Sequence, residues 1–216
     1  MRTLILDFDG TIADTSAAII SAFCKTFEKL DLPTPADGEI RQTIGLPLRD
    51  AFAQLSGLTD DAAIDHGVDT YRSLFDDSAD GSIVIYPGVK ETLEQLKAAG
   101  VILTVASSRS RKSLPGMLDR LGIAPLIDMV VAAEDVEAAK PAPDMVLKIL
   151  EATHTASDDA LVVGDTTFDI EMGHAAGTRT CAVTYGNHPT ERLIAAHPNY
   201  MIDLFHDTAT IALKRF

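Results

Sequence analysis

Five short apolar runs constrain this chain more than anything else in it: Thr3 to Leu6, Val101 to Ala106, Met129 to Ala133, Leu161 to Val163 and Thr180 to Thr184. They are rich in branched residues and do not alternate with polar ones, which is the pattern of strands covered on both faces, as in a parallel sheet. Helical patterns lie between the later runs. Glu91 to Ala99 places Leu93 and Leu96 on one face and stops at Gly100, while Ser113 to Leu121 stops at Gly122 and Ile170 to Ala176 at Gly177. Glycine suits the left-handed turn that ends a helix. Strands alternating with helices of this length predict βαβ units, hence an α/β, Rossmann-like parallel sheet core with helices on both faces.

From Thr15 to about Asp80 the pattern changes. No strand is evident, and apolar residues recur at helical spacing on three faces: Ile19, Ile20, Phe23, Phe27 and Leu30; Leu48, Phe52 and Leu55; Ile64, Val68, Tyr71 and Phe75. The breakers LPTPADG, IGLP and LSGLTD separate them. A block of about 65 residues is too long for a plain crossover between strands. It predicts an inserted α-helical domain at 15–80, with the core built from 1–14 and 81–216.

Composition narrows the partners. With 46% hydrophobic and 23% charged residues in 216, and no repeats, the chain is a globular one rather than a disordered or low-complexity one. The net charge of -14, from 32 acids against 18 bases, repels phosphate backbones and anionic membranes, so neither nucleic acid nor a membrane is an expected partner. No run approaches the ~18 apolar residues of a membrane span, and MRTLILDFDG carries no apolar stretch of signal-peptide length. Cys24 and Cys181, far apart and each beside apolar neighbours, read as buried thiols rather than a disulfide. The expected location is the cytoplasm, as a monomer or a homodimer.

In a doubly wound sheet the strands' carboxyl ends share one edge, and ligands bind in the crevice there. Those ends are consistently polar here. The first run leads into Asp7-Phe8-Asp9-Gly10-Thr11 and the second into Ser107-Ser108-Arg109. Glu134, Asp135 and then Lys140 follow the third, and Gly164-Asp165 the fourth, with Asp169 four residues on. Asp7 and Asp9, two apart on an extended backbone, point the same way. Asp165 and Asp169 lie one helical turn apart. Converging carboxylates repel unless a hard cation neutralises them, and magnesium, with its preference for oxygen ligands and a substrate phosphate, is the natural candidate. Ser107 and Lys140 are groups that bind a phosphoryl oxygen. Any one of these residues alone could be a helix cap, a turn or a solvated charge; four matching strand ends point to phosphoryl transfer, with a carboxylate as nucleophile.

DFDGTIADT, Ser107 after VILTVAS, Lys140 in AAKPAPD and VGDTTFD resemble the four ordered motifs of the haloacid dehalogenase superfamily, and the helical insertion resembles the small helical cap of one large subgroup. The resemblance covers the whole chain. It implies Asp7 as nucleophile, Asp9 as acid and base, Ser107 and Lys140 as phosphate holders, and Asp165 as magnesium ligand. The metal would also take an oxygen of Asp7 and the backbone carbonyl of Asp9, and Asp169 would hold a metal-bound water. An acid at Asp9 favours phosphate esters, since members that cleave carbon–halogen or phosphonate bonds lack it.

GLPLRDAF, YPGVKETLEQLKAAG and VTYGNHPTERLIAAHPNYMID are similar to the phosphoglycolate phosphatase branch. Two departures stand out: Ser107-Ser108-Arg109 where that branch often has Thr-Asn-Lys, and Tyr185-Gly186 where a tryptophan is frequent. Ser108 and Arg109 are candidate substrate contacts. In the cap, Arg49 is the candidate for gripping a substrate carboxylate, because arginine binds one bidentately, with Arg41 behind it. The six histidines show no paired metal-ligand spacing, are expected in loops or on helix surfaces, and receive no role. Ser107 lacks the Gly-x-Ser-x-Gly elbow of a serine hydrolase.

The expected function is magnesium-dependent hydrolysis of a small phosphomonoester, 2-phosphoglycolate first, through an aspartyl-phosphate. A sugar phosphomutase, a pyrophosphatase or a nucleotidase shares the core motifs, and a non-catalytic binding module on the same fold is the alternative of another kind.

Overall fold

The computed structural model describes residues 2–78 and 83–214, with side chains for all of them except 76–78. The expected domain boundary at 80–81 lies outside the described residues. The chain begins with strand β1 (Thr3–Leu6) and a short β2 (Ala13–Asp14), then helices α1 (Ser16–Lys29), α2 (Asp37–Thr43), α3 (Leu48–Ser56) and α4 (Asp61–Ser78). It continues through β3 (Val84–Ile85), α5 (Val89–Ala98), β4 (Ile102–Ala106), α6 (Leu114–Arg120), β5 (Met129–Val131) and α7 (Asp144–Thr153). Last come β6 (Ala160–Gly164), α8 (Thr167–Ala175), β7 (Arg179–Val183), α9 (Thr190–Ala195), β8 (Tyr200–Ile202) and α10 (Asp207–Leu213).

Six strands form one parallel sheet in the order β5-β4-β1-β6-β7-β8. β1 sits inside it, with Ile5 opposite Thr104 of β4 on one side and Val162 of β6 on the other. Successive strand residues face opposite ways, and two cores result. Ile5, Ala106, Val131 and Val162 pack with Met145, Val146 and Ile149 of α7. Leu4, Leu6, Leu103, Val105, Leu161 and Val163 pack on the other face with Leu93 and Leu96 of α5 and Ala209 and Ala212 of α10. The expected α/β sheet with helices on both faces is what the chain forms. Its eighth strand was not anticipated: Tyr200–Ile202 is an edge strand with Met201 exposed, so it carries no continuous apolar run.

β2 and β3 pair antiparallel, Ala13 with Ile85 and Asp14 with Val84, so the path out to the four helices and the path back run side by side. α1 packs on α4 and α4 on α3, burying the apolar faces read from the spacing: Ile19, Phe23 and Phe27, Phe52, and Ile64, Val68, Tyr71 and Phe75. Cys181 is buried, Cys24 is half-buried, and both thiols are free. Among the described residues, no helix is long and apolar enough to cross a membrane.

Candidate active site

The carboxyl edge of the sheet gathers the acids. Asp7 follows β1 directly, and its N–H donates to the Val163 carbonyl at 2.9 Å, so the parallel pairing with β6 runs one residue past the strand and sets Asp7 beside Gly164-Asp165. Asp169 stands in the first turn of α8, where its Oδ2 accepts from the Thr166 N–H at 3.1 Å and the Thr166 hydroxyl at 2.7 Å. This capping leaves Oδ1 to receive the Lys140 ammonium at 2.6 Å, and the same ammonium reaches Asp7 Oδ1 at 2.5 Å. Asp165 accepts from the Thr11 hydroxyl at Oδ1 (2.9 Å) and, at Oδ2, from the N–H (2.7 Å) and side-chain amide (2.9 Å) of Asn187. Asp7, Asp165, Asp169 and Lys140 are all buried.

One carboxylate oxygen from each of Asp7, Asp165 and Asp169 lies within 4.8 Å of the others. Three acids face one ammonium, and their electrostatics show the excess. Burial chiefly pushes the Asp7 carboxyl well above its ordinary range; Lys140 opposes it, and Asp169, Asp165 and Asp9 add to the rise. Burial and then Asp169 raise Asp165 to about 7, against the bonds from Asn187 and Thr11. At Lys140 burial works to lower the ammonium, but Asp169 and Asp7 outweigh it and the net shift is upward. The second oxygen of Asp7, Oδ2, is buried without a hydrogen-bond partner, a costly arrangement unless something binds there. An oxygen-only donor set with surplus negative charge fits a hard divalent cation such as magnesium.

Two glycines keep the space. Gly10 has φ +90°, and a Cβ there would stand 2.2 Å from Asp165 Oδ2. At Gly186 a Cβ would stand 2.2 Å from that of Asp165. Asp165 is thus walled by backbone on two sides, which no larger residue would permit.

Asp9 serves a different neighbourhood. Its carboxylate is outside the acid group and is held by Arg109, with Nε 2.8 Å from each oxygen and Nη2 2.7 Å from Oδ1, while the Thr15 hydroxyl donates at 2.6 Å. Its backbone carbonyl accepts from the Asn187 side chain at 3.3 Å. The Arg109 guanidinium also lies 4.8 Å from the Phe75 ring and 5.5 Å from the Phe8 ring, so one cation ties the core acid to helix α4. Ser107 is buried at the end of β4, and its Oγ accepts the Arg109 N–H at 3.2 Å. Ser108 reaches across instead: its hydroxyl donates to the Gly45 carbonyl, between α2 and α3, at 2.6 Å.

A cleft of about 890 Å³ runs from Asp7 and Asp9 along α1, α3 and α4, past Arg109 and Ser108. Arg49 lines it but is committed, donating to Asp61 and, at 3.0 Å, to Asp65. Arg41 is exposed on α2 and is not among the residues lining the cleft.

Sequence reasoning passed over Asn187, Thr11 and Thr15. Asn187 follows β7 at the same carboxyl edge that singled out the other residues, so the rule that found them reaches it. One of the histidines expected in loops is a buried one. His188 is buried, accepts the Thr167 N–H at Nδ1 (3.0 Å) and faces the Gln42 carbonyl with Nε2 (3.3 Å); burial, then Arg192, lowers it to about 4. It is a neutral strut between α8 and the α2 end. Tyr185 donates to the Thr11 carbonyl at 2.9 Å and packs on Tyr86, ring centroids 4.5 Å apart.

The sequence profile described as haloacid dehalogenase-like hydrolase matches residues 4–183. The chain is 35% identical over 212 residues to the "Probable phosphatase IndB" of Dickeya dadantii, covering 97% of this chain and 92% of that one. It is 30% identical over 216 residues to the pyrophosphatase PpaX of Oceanobacillus iheyensis, covering 100% and 99%. A crystal structure from Bacteroides fragilis, assigned by name to the same hydrolases, superposes with a TM-score of 0.91 at 26% identity, over 96% of this chain and 99% of that one.

Proposed function

Because the chain belongs to the haloacid dehalogenase-like hydrolases and is a phosphatase of that family, we propose that it hydrolyses a small phosphomonoester with magnesium, through a phosphorylated Asp7. The observation that carries this reading is the buried Asp7 carboxylate, one oxygen on Lys140 and the other unpartnered, set beside Asp165 and Asp169 at the end of an open cleft.

Asp7, Asp165 and Asp169 would hold the magnesium ion, and the Asp9 carbonyl stands beside them through Asn187. Bound there, the metal supplies positive charge against the substrate phosphate. The chain's own groups do the rest. A carboxylate oxygen of Asp7 forms a bond to phosphorus as the bond to the alcohol oxygen breaks, and the departing oxygen takes a proton from Asp9. Asp9 then removes a proton from water, whose oxygen attacks the same phosphorus. The Asp7–phosphorus bond breaks, inorganic phosphate leaves and the carboxylate is restored. Lys140 and Ser107 hold phosphoryl oxygens. Arg109 and Thr15 both donate to the Asp9 carboxylate, and an arriving phosphate competes for that guanidinium.

The partner is a small phosphorylated metabolite. 2-Phosphoglycolate, expected from the likeness of three segments to the phosphoglycolate phosphatase branch, would offer its carboxylate to Arg49, which is engaged by Asp61 and Asp65; a relative named as a pyrophosphatase puts inorganic pyrophosphate in the same test. The experiment is phosphate release from a panel of 2-phosphoglycolate, sugar phosphates, nucleotides and pyrophosphate, with magnesium and then with chelator. Release that chelator stops supports the reading. No release from any compound overturns it, and isomerised sugar phosphate in its place identifies a mutase.

A further inference from the structure

On its helical side the cleft is lined by apolar and aromatic residues. Ile19 and Phe23 come from α1, Leu48 from α3, and Val68, Tyr71 and Phe75 from α4. The three rings form a row: Phe23 and Tyr71 have centroids 4.6 Å apart at 49°, and Tyr71 and Phe75 5.7 Å apart at 23°. The row ends on the Arg109 guanidinium, 4.8 Å from Phe75, which is the group that grips Asp9. Tyr71 stands near that pair: burial chiefly raises its phenol, while Arg109 pulls it down and Asp9 pushes it up. The aromatic row therefore ends beside Asp9.

The charges on the same side are neutralised in place. Arg49 donates to Asp61 and Asp65, and Arg72 lies 3.5 Å from Asp69. Asp65 and Asp69 themselves line the cleft. Among the described residues, each cap arginine lining the cleft has an acid partner, and Lys112 comes from the core loop after β4. A carboxylate or a second phosphate on the leaving group would meet Asp65 and Asp69 without a free arginine beside them. The cleft, at about 890 Å³, is also at the large end of small-molecule sites, far more room than a two-carbon acid fills.

Resting on the phosphatase reading above, we propose that the leaving group is an uncharged alcohol carrying a flat apolar ring, seated against Phe23, Val68 and Tyr71, and that Tyr71 is the residue that selects it. Phosphate is gripped at the acids and the ring by the cap. A ring buried against such a wall gains from displaced water and from offset or edge contacts with the row.

The test compares primary-alcohol phosphates, whose leaving oxygens are chemically alike: ethyl phosphate, benzyl phosphate and 2-phenylethyl phosphate, with 2-phosphoglycolate and pyrophosphate alongside. With magnesium, kcat/KM for benzyl phosphate is expected to exceed that for ethyl phosphate by about tenfold or more and to exceed both charged compounds. In Tyr71→Leu, which keeps an apolar side chain of useful size, the benzyl-to-ethyl ratio is expected to fall by about threefold or more. Equal rates for benzyl and ethyl phosphate, or a preference for 2-phosphoglycolate or pyrophosphate, overturn the proposal while leaving the phosphatase intact. If no compound is hydrolysed, the phosphatase reading fails, and calorimetric binding of benzylphosphonate against methylphosphonate decides the cleft separately. Tighter benzylphosphonate supports the aromatic seat, and equal affinity overturns it.

Discussion

The guanidinium of Arg109 holds both carboxylate oxygens of Asp9 while lying against the Phe75 ring of helix α4. The contact is a bidentate charge pair with side chains only 10% and 12% exposed, so it is worth more than a surface ion pair. It also spans the core and the helical block, whose residues together line the cleft. Arg109→Ala is expected to lower kcat/KM by about tenfold or more, and Arg109→Lys to recover little of it, because an ammonium cannot reproduce the fork. Steady-state kinetics on both variants check this; lysine restoring full activity would show that charge alone suffices.

Asp7→Asn keeps the shape of the buried side chain and removes its nucleophilic oxygen. Turnover is expected to vanish with the circular dichroism spectrum unchanged. Retained phosphate release by a properly folded variant would exclude Asp7 as the attacking group.

Magnesium should matter more to stability at high pH than at low. Asp165 rises from an ordinary 3.8 to about 7 in the fold, and Asp7 is raised too, both first by burial. Between about pH 4 and pH 7 the metal-free fold therefore binds more protons than the unfolded chain, and these groups lower its stability as pH rises through that window. Above it the loss from Asp165 is complete. A cation that takes the protons' place reverses the loss, so the magnesium-induced rise in Tm is expected to be small at pH 5 and about 4 °C or more at pH 8. A rise independent of pH would show that the acids are not the site.

Asn187 supports Asp165 with its side-chain amide at 2.9 Å and touches the Asp9 carbonyl at 3.3 Å. Asn187→Ala leaves the backbone bond at 2.7 Å but removes both of these. Half-maximal activity should then need about tenfold more magnesium, the usual effect of losing a group that orients a metal ligand. An unchanged magnesium titration would make Asn187 merely a loop residue.

Most of the sheet could be read from the chain because buried parallel strands leave unbroken apolar runs, and the acids could be read because they follow those runs. Where burial is partial the signal fades. α2 buries only Ile40 and Thr43, and β8 buries Ile202 alone; neither leaves a period to count. Arg49 shows a second limit. Its partners are 12 and 16 residues away, on a helix packed alongside its own, a relation no spacing within one helix reveals. His188 shows a third, since a single histidine in a polar loop carries no mark of the cavity that closes over it.

β1 lies inside the sheet, between strands made about 100 and 155 residues later. Asp7 is thus made long before Lys140, Asp165 and Asp169, the three charged residues gathered around its carboxylate in the fold. In a growing chain Asp7 is an ordinary aspartate, and the buried acid group assembles only when the late strands pair with the early one. A chain that stops short of Asp169 therefore lacks both the third acid of the buried group and one of the two carboxylates that hold Lys140.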